Sequence, residues 1–70
     1  PMHIVIVGGT GAMGLIFGAR LAQQGHGVTL FDVNAEAVAT VNREGAKITD
    51  KEGRVDVVKN LYATSDATSI

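Results

Sequence analysis

Seventy residues suffice for one small folding unit, and a chain of this length buries only a modest share of its surface. Six basic and seven acidic residues, spread along the chain for a net charge of −1, argue against nucleic acid or a membrane surface as partner. Cysteine is absent, which excludes a disulfide framework and a thiolate metal site and fits a soluble, cytoplasmic-type protein. In chain order, Pro1 reads as a foreign residue ahead of a natural start at Met2. The first residues are too short a stretch, and too quickly structured, to read as a signal peptide, and no apolar run approaches the ~18 residues of a membrane span.

His3 to Val7 is nearly continuous in apolar residues, the pattern of a parallel strand covered on both faces. A helix is predicted from about Gly11 to Gln24, with Met13, Ile16, Phe17 and Leu21 forming one buried stripe and Arg20, Gln23 and Gln24 turned away. Gly25-His26-Gly27 ends that helix and turns the chain into a second strand, Val28 to Asp32. Asn34 is placed as the N-cap of a second helix, Ala35 to Glu44, which buries Val38 and Val41 and is closed by Gly45. Glu36 falls in its first turn and Arg43 near its last, both complementing the helix dipole. Lys47–Thr49 and Arg54–Val58 are short strand-like pieces, and the Asp50-Lys51-Glu52-Gly53 turn between them predicts a hairpin. Leu61 to Ile70 is small and polar and reads as a linker or an extended strand leading onward.

The residues that carry chemistry lie between the first strand and the end of the second. Gly9-Thr10-Gly11-Ala12-Met13-Gly14 has the G-x-G-x-x-G spacing, follows a strand and opens a helix. Eighteen residues after Gly14, Asp32 ends the next strand, which completes the three-part context of a dinucleotide-binding turn. Gly9 permits the tight turn, Gly11 lets backbone approach a pyrophosphate, Gly14 lets the helix pack closely on the strands, and Gly8 adds room at the strand end. The helix N-terminus, with the backbone of Ala12 and Met13, offers unpaired N–H groups and a partial positive charge to the diphosphate. Asp32 then accepts hydrogen bonds from the adenosine ribose, favouring NAD over NADP by repelling a 2′-phosphate. Thr10 suits either a phosphate contact or a plain turn role. Asn34 suits either a ribose contact or helix capping alone. The side chains of Met13 and Phe17 are read as core. His3 and His26 sit at a strand start and in a turn, without the partner and pocket that a catalytic base needs.

The fold expected is α/β: a partial Rossmann unit, β-α-β-α-β with a terminal hairpin and a parallel sheet, residues 1–70 forming the N-terminal part of a dinucleotide-binding domain whose substrate domain lies elsewhere. In the usual strand order the first strand is central. Here its outer edge would be left unpaired, so a homo-oligomer through the edge around Ile4 to Val7 is expected.

The segments Ile4–Gly14, Gly25–Asp32 and Val41-Asn42-Arg43-Glu44-Gly45, with the hairpin and Ala63-Thr64-Ser65-Asp66, resemble the start of the ketopantoate reductases (2-dehydropantoate 2-reductases). The resemblance implies hydride transfer from a nicotinamide cofactor to the ketone of ketopantoate, giving pantoate for coenzyme A synthesis. The lysine and glutamate that assist in such enzymes match no position here, so no catalytic residue is assigned and the chain alone is expected to be inactive. Such enzymes commonly use NADPH, with a basic or neutral residue near the ribose, whereas this chain has Asp32. The cofactor is thus NAD by the acid and NADP by the resemblance. Asp32 to Val38 is equally similar to β-hydroxyacid dehydrogenases, from which the hairpin around Gly53 separates the chain. A non-enzymatic nucleotide-binding or assembly module is the alternative of a different class.

Overall fold

The computed structural model describes residues 2–70. Pro1 lies outside them, and with it the reading of that residue as foreign. Strand β1 (His3–Val7) leads through the glycine turn into helix α1 (Ala12–Gln23), and β2 (Gly27–Phe31) returns parallel to β1 with His3 opposite Gly27 and Val7 opposite Phe31. Gly25, with φ of 92°, terminates α1 in the left-handed region. Helix α2 (Ala35–Glu44) follows, capped by the Asn34 side chain, which accepts from Ala37 N at 3.0 Å. A hairpin of β3 (Ala46–Thr49) and β4 (Val55–Val58) comes next, antiparallel, with Ala46 opposite Val58. Its turn is organised by Asp50, whose carboxylate accepts from the backbone N–H of Glu52 and Arg54 and from Arg54 Nε at 2.9 to 3.1 Å.

Of the two forms expected of the tail, a linker or an extended strand, it holds a strand, but one that joins the sheet. Tyr62–Thr64 forms β5, which pairs parallel with β2 and gives the sheet order β1-β2-β5. The hairpin is therefore internal, an excursion between α2 and the third parallel strand. Composition concealed this because β5 has only three residues and takes its stability from its neighbours. A short 3-10 turn at Ala67–Ser69, capped by Asp66, ends the chain.

Val28, Leu30 and Ala63 of the sheet pack with Ala19 and Ala22 of α1, Val38 and Val41 of α2, and Ala46, Ile48 and Val58 of the hairpin. The predicted stripe on α1 is corrected. Met13, Ile16 and Phe17 are 67, 46 and 58% exposed, while the buried face is Gly18, Ala19 and Ala22, with Leu15 and Leu21 partly covered. The cause is distance: a Cβ built at Gly18 would lie 2.6 Å from Leu30 Cδ2, so α1 rides too close to the sheet for large side chains. Large apolar residues dominate a periodicity, whereas this contact selects small ones. Nor is β1 covered on both faces. Val7 is 80% exposed and Tyr62 53%, because the helix packing falls on the face that carries Ile6, Val28 and Leu30.

The two edges of the sheet are treated differently. On β5, Asn42 from α2 donates through Nδ2 to Ala63 O at 2.8 Å and accepts through Oδ1 from Ala63 N at 2.9 Å, taking the place of a neighbouring strand. On β1, no strand other than β2 pairs among the described residues. Asn42→Ala leaves both main-chain groups of the buried Ala63 unpaired and is expected to destabilise the chain by about 1–3 kcal/mol, read by urea denaturation. A variant with the wild-type midpoint would show that water replaces the amide at no cost.

Candidate dinucleotide-binding turn

The site begins where β1 ends. Gly8 has φ of 75° and nothing within 4 Å of the place a Cβ would occupy. Its role is conformational, a left-handed turn out of the strand, and not the extra room assigned to it from the sequence. Gly8 N and Gly9 N both donate to Phe31 O, at 2.8 and 3.0 Å, and so pin the turn to the end of β2. Gly9 is buried against Leu30, where a Cβ would come within 2.6 Å of Leu30 Cβ. A Cβ at Gly14 would lie 2.8 Å from Gly8 O and 2.9 Å from Gly9 Cα, so Gly14 packs on the turn itself. The close helix-to-strand contact expected of Gly14 belongs to Gly18, which lies outside the motif.

Gly11 is the N-cap of α1, extended at φ −69° and ψ 164°, and no side chain caps the first turn. No acidic residue stands in that turn either, in contrast to α2, which has Asn34 as cap and Glu36 behind it. Beyond Gly8 O at 3.3 Å, a Cβ at Gly11 would meet nothing within 4 Å. The leading N–H groups of α1, at Ala12, Met13 and Gly14, lack intrahelical acceptors and lie at the positive end of the helix dipole. Open space, absent cap and absent acid together suit a diphosphate, and the residues present fit that group.

Asp32 stands beside this turn because Phe31 O anchors the glycines and Asp32 N donates to Thr64 O of β5 at 3.1 Å. Its Oδ2 accepts from Thr10 Oγ1 at 2.6 Å and from Thr10 N at 3.3 Å, and its Oδ1 accepts from Asn34 N at 3.2 Å. The Thr10 hydroxyl, followed by the Asn34 N–H, holds the Asp32 carboxyl below the usual carboxylate range. The group is therefore a carboxylate at neutral pH, and the advantage its contacts give the fold is lost only as pH falls below about 4.

The structure brings Gly8, Gly9, Thr10, Gly11, Ala12, Met13, Gly14, Asp32 and Asn34 into one neighbourhood. Of the two roles open to Thr10, neither a free hydroxyl nor a free N–H toward phosphate remains: both are engaged on Asp32. Asn34 caps α2 with its own Oδ1. Met13 and Phe17, read as core, have exposed side chains. Arg43 pairs with its neighbour Glu44 at 3.1 Å, near the C-terminus of α2. One feature had no sequence signal. A groove of about 350 Å3 runs from Thr10 and Leu15 along Ala37, Thr40 and Val41 of α2 to Lys47. It lies between the glycine turn with Leu15, one face of α2 and the start of β3, an arrangement that no local pattern specifies.

Among the described residues, no helix is long and apolar enough to cross a membrane. Residues 4–70 match the family ketopantoate reductase PanE/ApbA, and the chain belongs to that family. Neither a curated protein nor a solved structure matches it. Membership makes this a ketopantoate-reductase-like chain of the oxidoreductase class, working with a nicotinamide cofactor.

Proposed function

We propose that this member of the ketopantoate reductase family uses residues 1–70 as the N-terminal part of a dinucleotide-binding domain, holding the adenosine diphosphate half of NAD(H). The whole protein would reduce ketopantoate to pantoate in the cytoplasm. When bound, the cofactor supplies hydride. The residues here bind and orient it: the N–H groups of Ala12, Met13 and Gly14 take the pyrophosphate, with Gly11 keeping the approach open and Gly8 and Gly9 shaping the turn. Asp32 takes a ribose hydroxyl, beside Asn34. The observation that carries this reading is the first turn of α1, uncapped by any side chain, free of acids and open at Gly11. NAD is preferred over NADP in this reading because Asp32 is a fixed anion at the ribose position. Isothermal titration with NADH and NADPH tests it. NADH is expected to bind at least about tenfold more tightly, a difference of ~1.4 kcal/mol, and Asp32→Ala should close most of that gap. Binding of neither cofactor would withdraw the site, and binding of NADPH alone would withdraw the role of Asp32.

A second reading concerns assembly and rests on the sheet edges. Asn42 closes β5, whereas the outer edge of β1 carries unpaired main-chain groups on an apolar strand. We propose that in the seventy-residue chain by itself β1 pairs with β1 of a second copy, as exposed edges tend to do. Size-exclusion chromatography with light scattering should then report a dimer or larger species at micromolar concentration. A stable monomer under those conditions removes the proposal.

A further inference from the structure

We infer that Thr10 is the positioning residue for Asp32, fixing its carboxylate so that the site discriminates against a phosphorylated ribose. The inference rests on the dinucleotide reading of the preceding subsection and deepens it. A glycine-rich turn accommodates many residues at its second position, so a threonine whose hydroxyl and N–H both reach a carboxylate 22 positions away is a specific arrangement.

The hydrogen-bond inventory says what that arrangement does. A carboxylate has about four acceptor positions, two on each oxygen. Thr10 fills both on Oδ2, through Oγ1 at 2.6 Å and N at 3.3 Å, and Asn34 N fills one on Oδ1 at 3.2 Å. One position remains, on Oδ1, and it can accept from a ribose hydroxyl. Thr10 thus decides which oxygen is offered to the ribose.

The same three bonds decide what is refused. An aspartate free to rotate could swing aside for a 2′-phosphate and lose little. Asp32 is tied through Oδ2 to the glycine turn and through Oδ1 to Asn34 of its own loop, so Thr10 is its tie to a separate segment and keeps it in place to repel. All three bonds end on a carboxylate and are charge-assisted, and the Oγ1–Oδ2 contact is the shortest of them. Without that hydroxyl, one weak N–H contact and the Asn34 N–H remain, and the side chain gains the freedom to leave. Thr10 does not touch the pyrophosphate in this arrangement. It acts on the cofactor only through Asp32.

The test compares wild type with Thr10→Val, which removes the hydroxyl and keeps branching at Cβ, and with Thr10→Ser, which keeps the hydroxyl. Thr10→Ala repeats the loss with a smaller side chain in case valine disturbs the turn. Two quantities are read on the full chain: the ratio of NADPH to NADH dissociation constants by calorimetry, and the titration of the Asp32 carboxyl by NMR. Thr10→Val and Thr10→Ala are expected to reduce the ratio about tenfold. The Asp32 carboxyl should move up toward the ordinary range in both, and Thr10→Ser should restore both readouts. If wild type prefers NADH but the ratio is unchanged in Thr10→Val and Thr10→Ala, the positioning role is wrong and the nucleotide site stands. If the ratio falls equally in Thr10→Ser, the hydroxyl is not responsible, which also overturns it. If wild type binds neither cofactor, the dinucleotide reading itself fails and takes this inference with it.

Discussion

Replacing Gly9 with alanine is expected to cost the chain about 3 kcal/mol or more, enough to lower its melting temperature by more than about 10 °C. The new Cβ would sit 2.6 Å from Leu30 Cβ, 2.9 Å from Leu30 Cα and 2.9 Å from Ile6 O. Two of these three atoms are backbone, so a side-chain rotation cannot relieve the overlap. The turn must lift off β2, and the paired bonds from Gly8 N and Gly9 N to Phe31 O lengthen with it. Leu30 is the largest fully buried side chain, so the displacement reaches the centre of the core. A domain of this size has only about 4–10 kcal/mol to lose. Thermal unfolding followed by circular dichroism measures the effect, and a variant that melts with wild type would show that the turn is not seated on Leu30.

Gly11→Val should do the reverse: keep the fold and abolish most of the NADH affinity. Gly11 is extended, at φ −69° and ψ 164°, a conformation open to β-branched residues. The only close neighbour of its Cβ would be Gly8 O at 3.3 Å. Losing glycine as N-cap costs about 1 kcal/mol or less. The valine side chain would stand where a pyrophosphate must approach the N–H groups of α1. Loss of one or two charge-assisted hydrogen bonds, at about 1.5–3 kcal/mol each, amounts to roughly tenfold for one weak bond and a hundredfold or more for two in dissociation constant. Calorimetry with NADH alongside a thermal melt separates the two effects. Wild-type affinity in a folded Gly11→Val protein would move the phosphate away from this turn.

These two glycines, two positions apart, show where sequence reading stops. The spacing of Gly9, Gly11 and Gly14 marks the turn, and a Cβ at Gly9 would clash there as expected. The division of labour among the rest differed. Gly8 supplies a left-handed conformation, Gly14 packs on Gly8 and Gly9, and Gly18 makes the close approach to the sheet. Gly18 was not singled out because its partners, Leu30, Ile6 and Val28, lie on strands that meet it only after folding. Asp32 was legible from its distance to the motif. The Thr10 contact that fixes its carboxylate was not, since a hydroxyl near a glycine turn has several acceptors within reach.

What the amino-acid sequence determined by itself is what short-range physics decides. Helix α2 runs Ala35–Glu44 as expected, because Asn34, Glu36, Arg43 and Gly45 set its ends and Val38 and Val41 its buried face within twelve residues. The hairpin turn and the strand-glycine-helix unit are local in the same sense. Tertiary structure decided which face of α1 is buried, the entry of Tyr62–Thr64 into the sheet, the closing of that edge by Asn42 and the tie between Thr10 and Asp32. Each of these depends on a contact between segments far apart in the chain, where side-chain size and the geometry of approach outweigh hydrophobicity and propensity. Periodicity ranks residues by how much they gain from leaving water; only the packed structure sets how much room there is for them to do so.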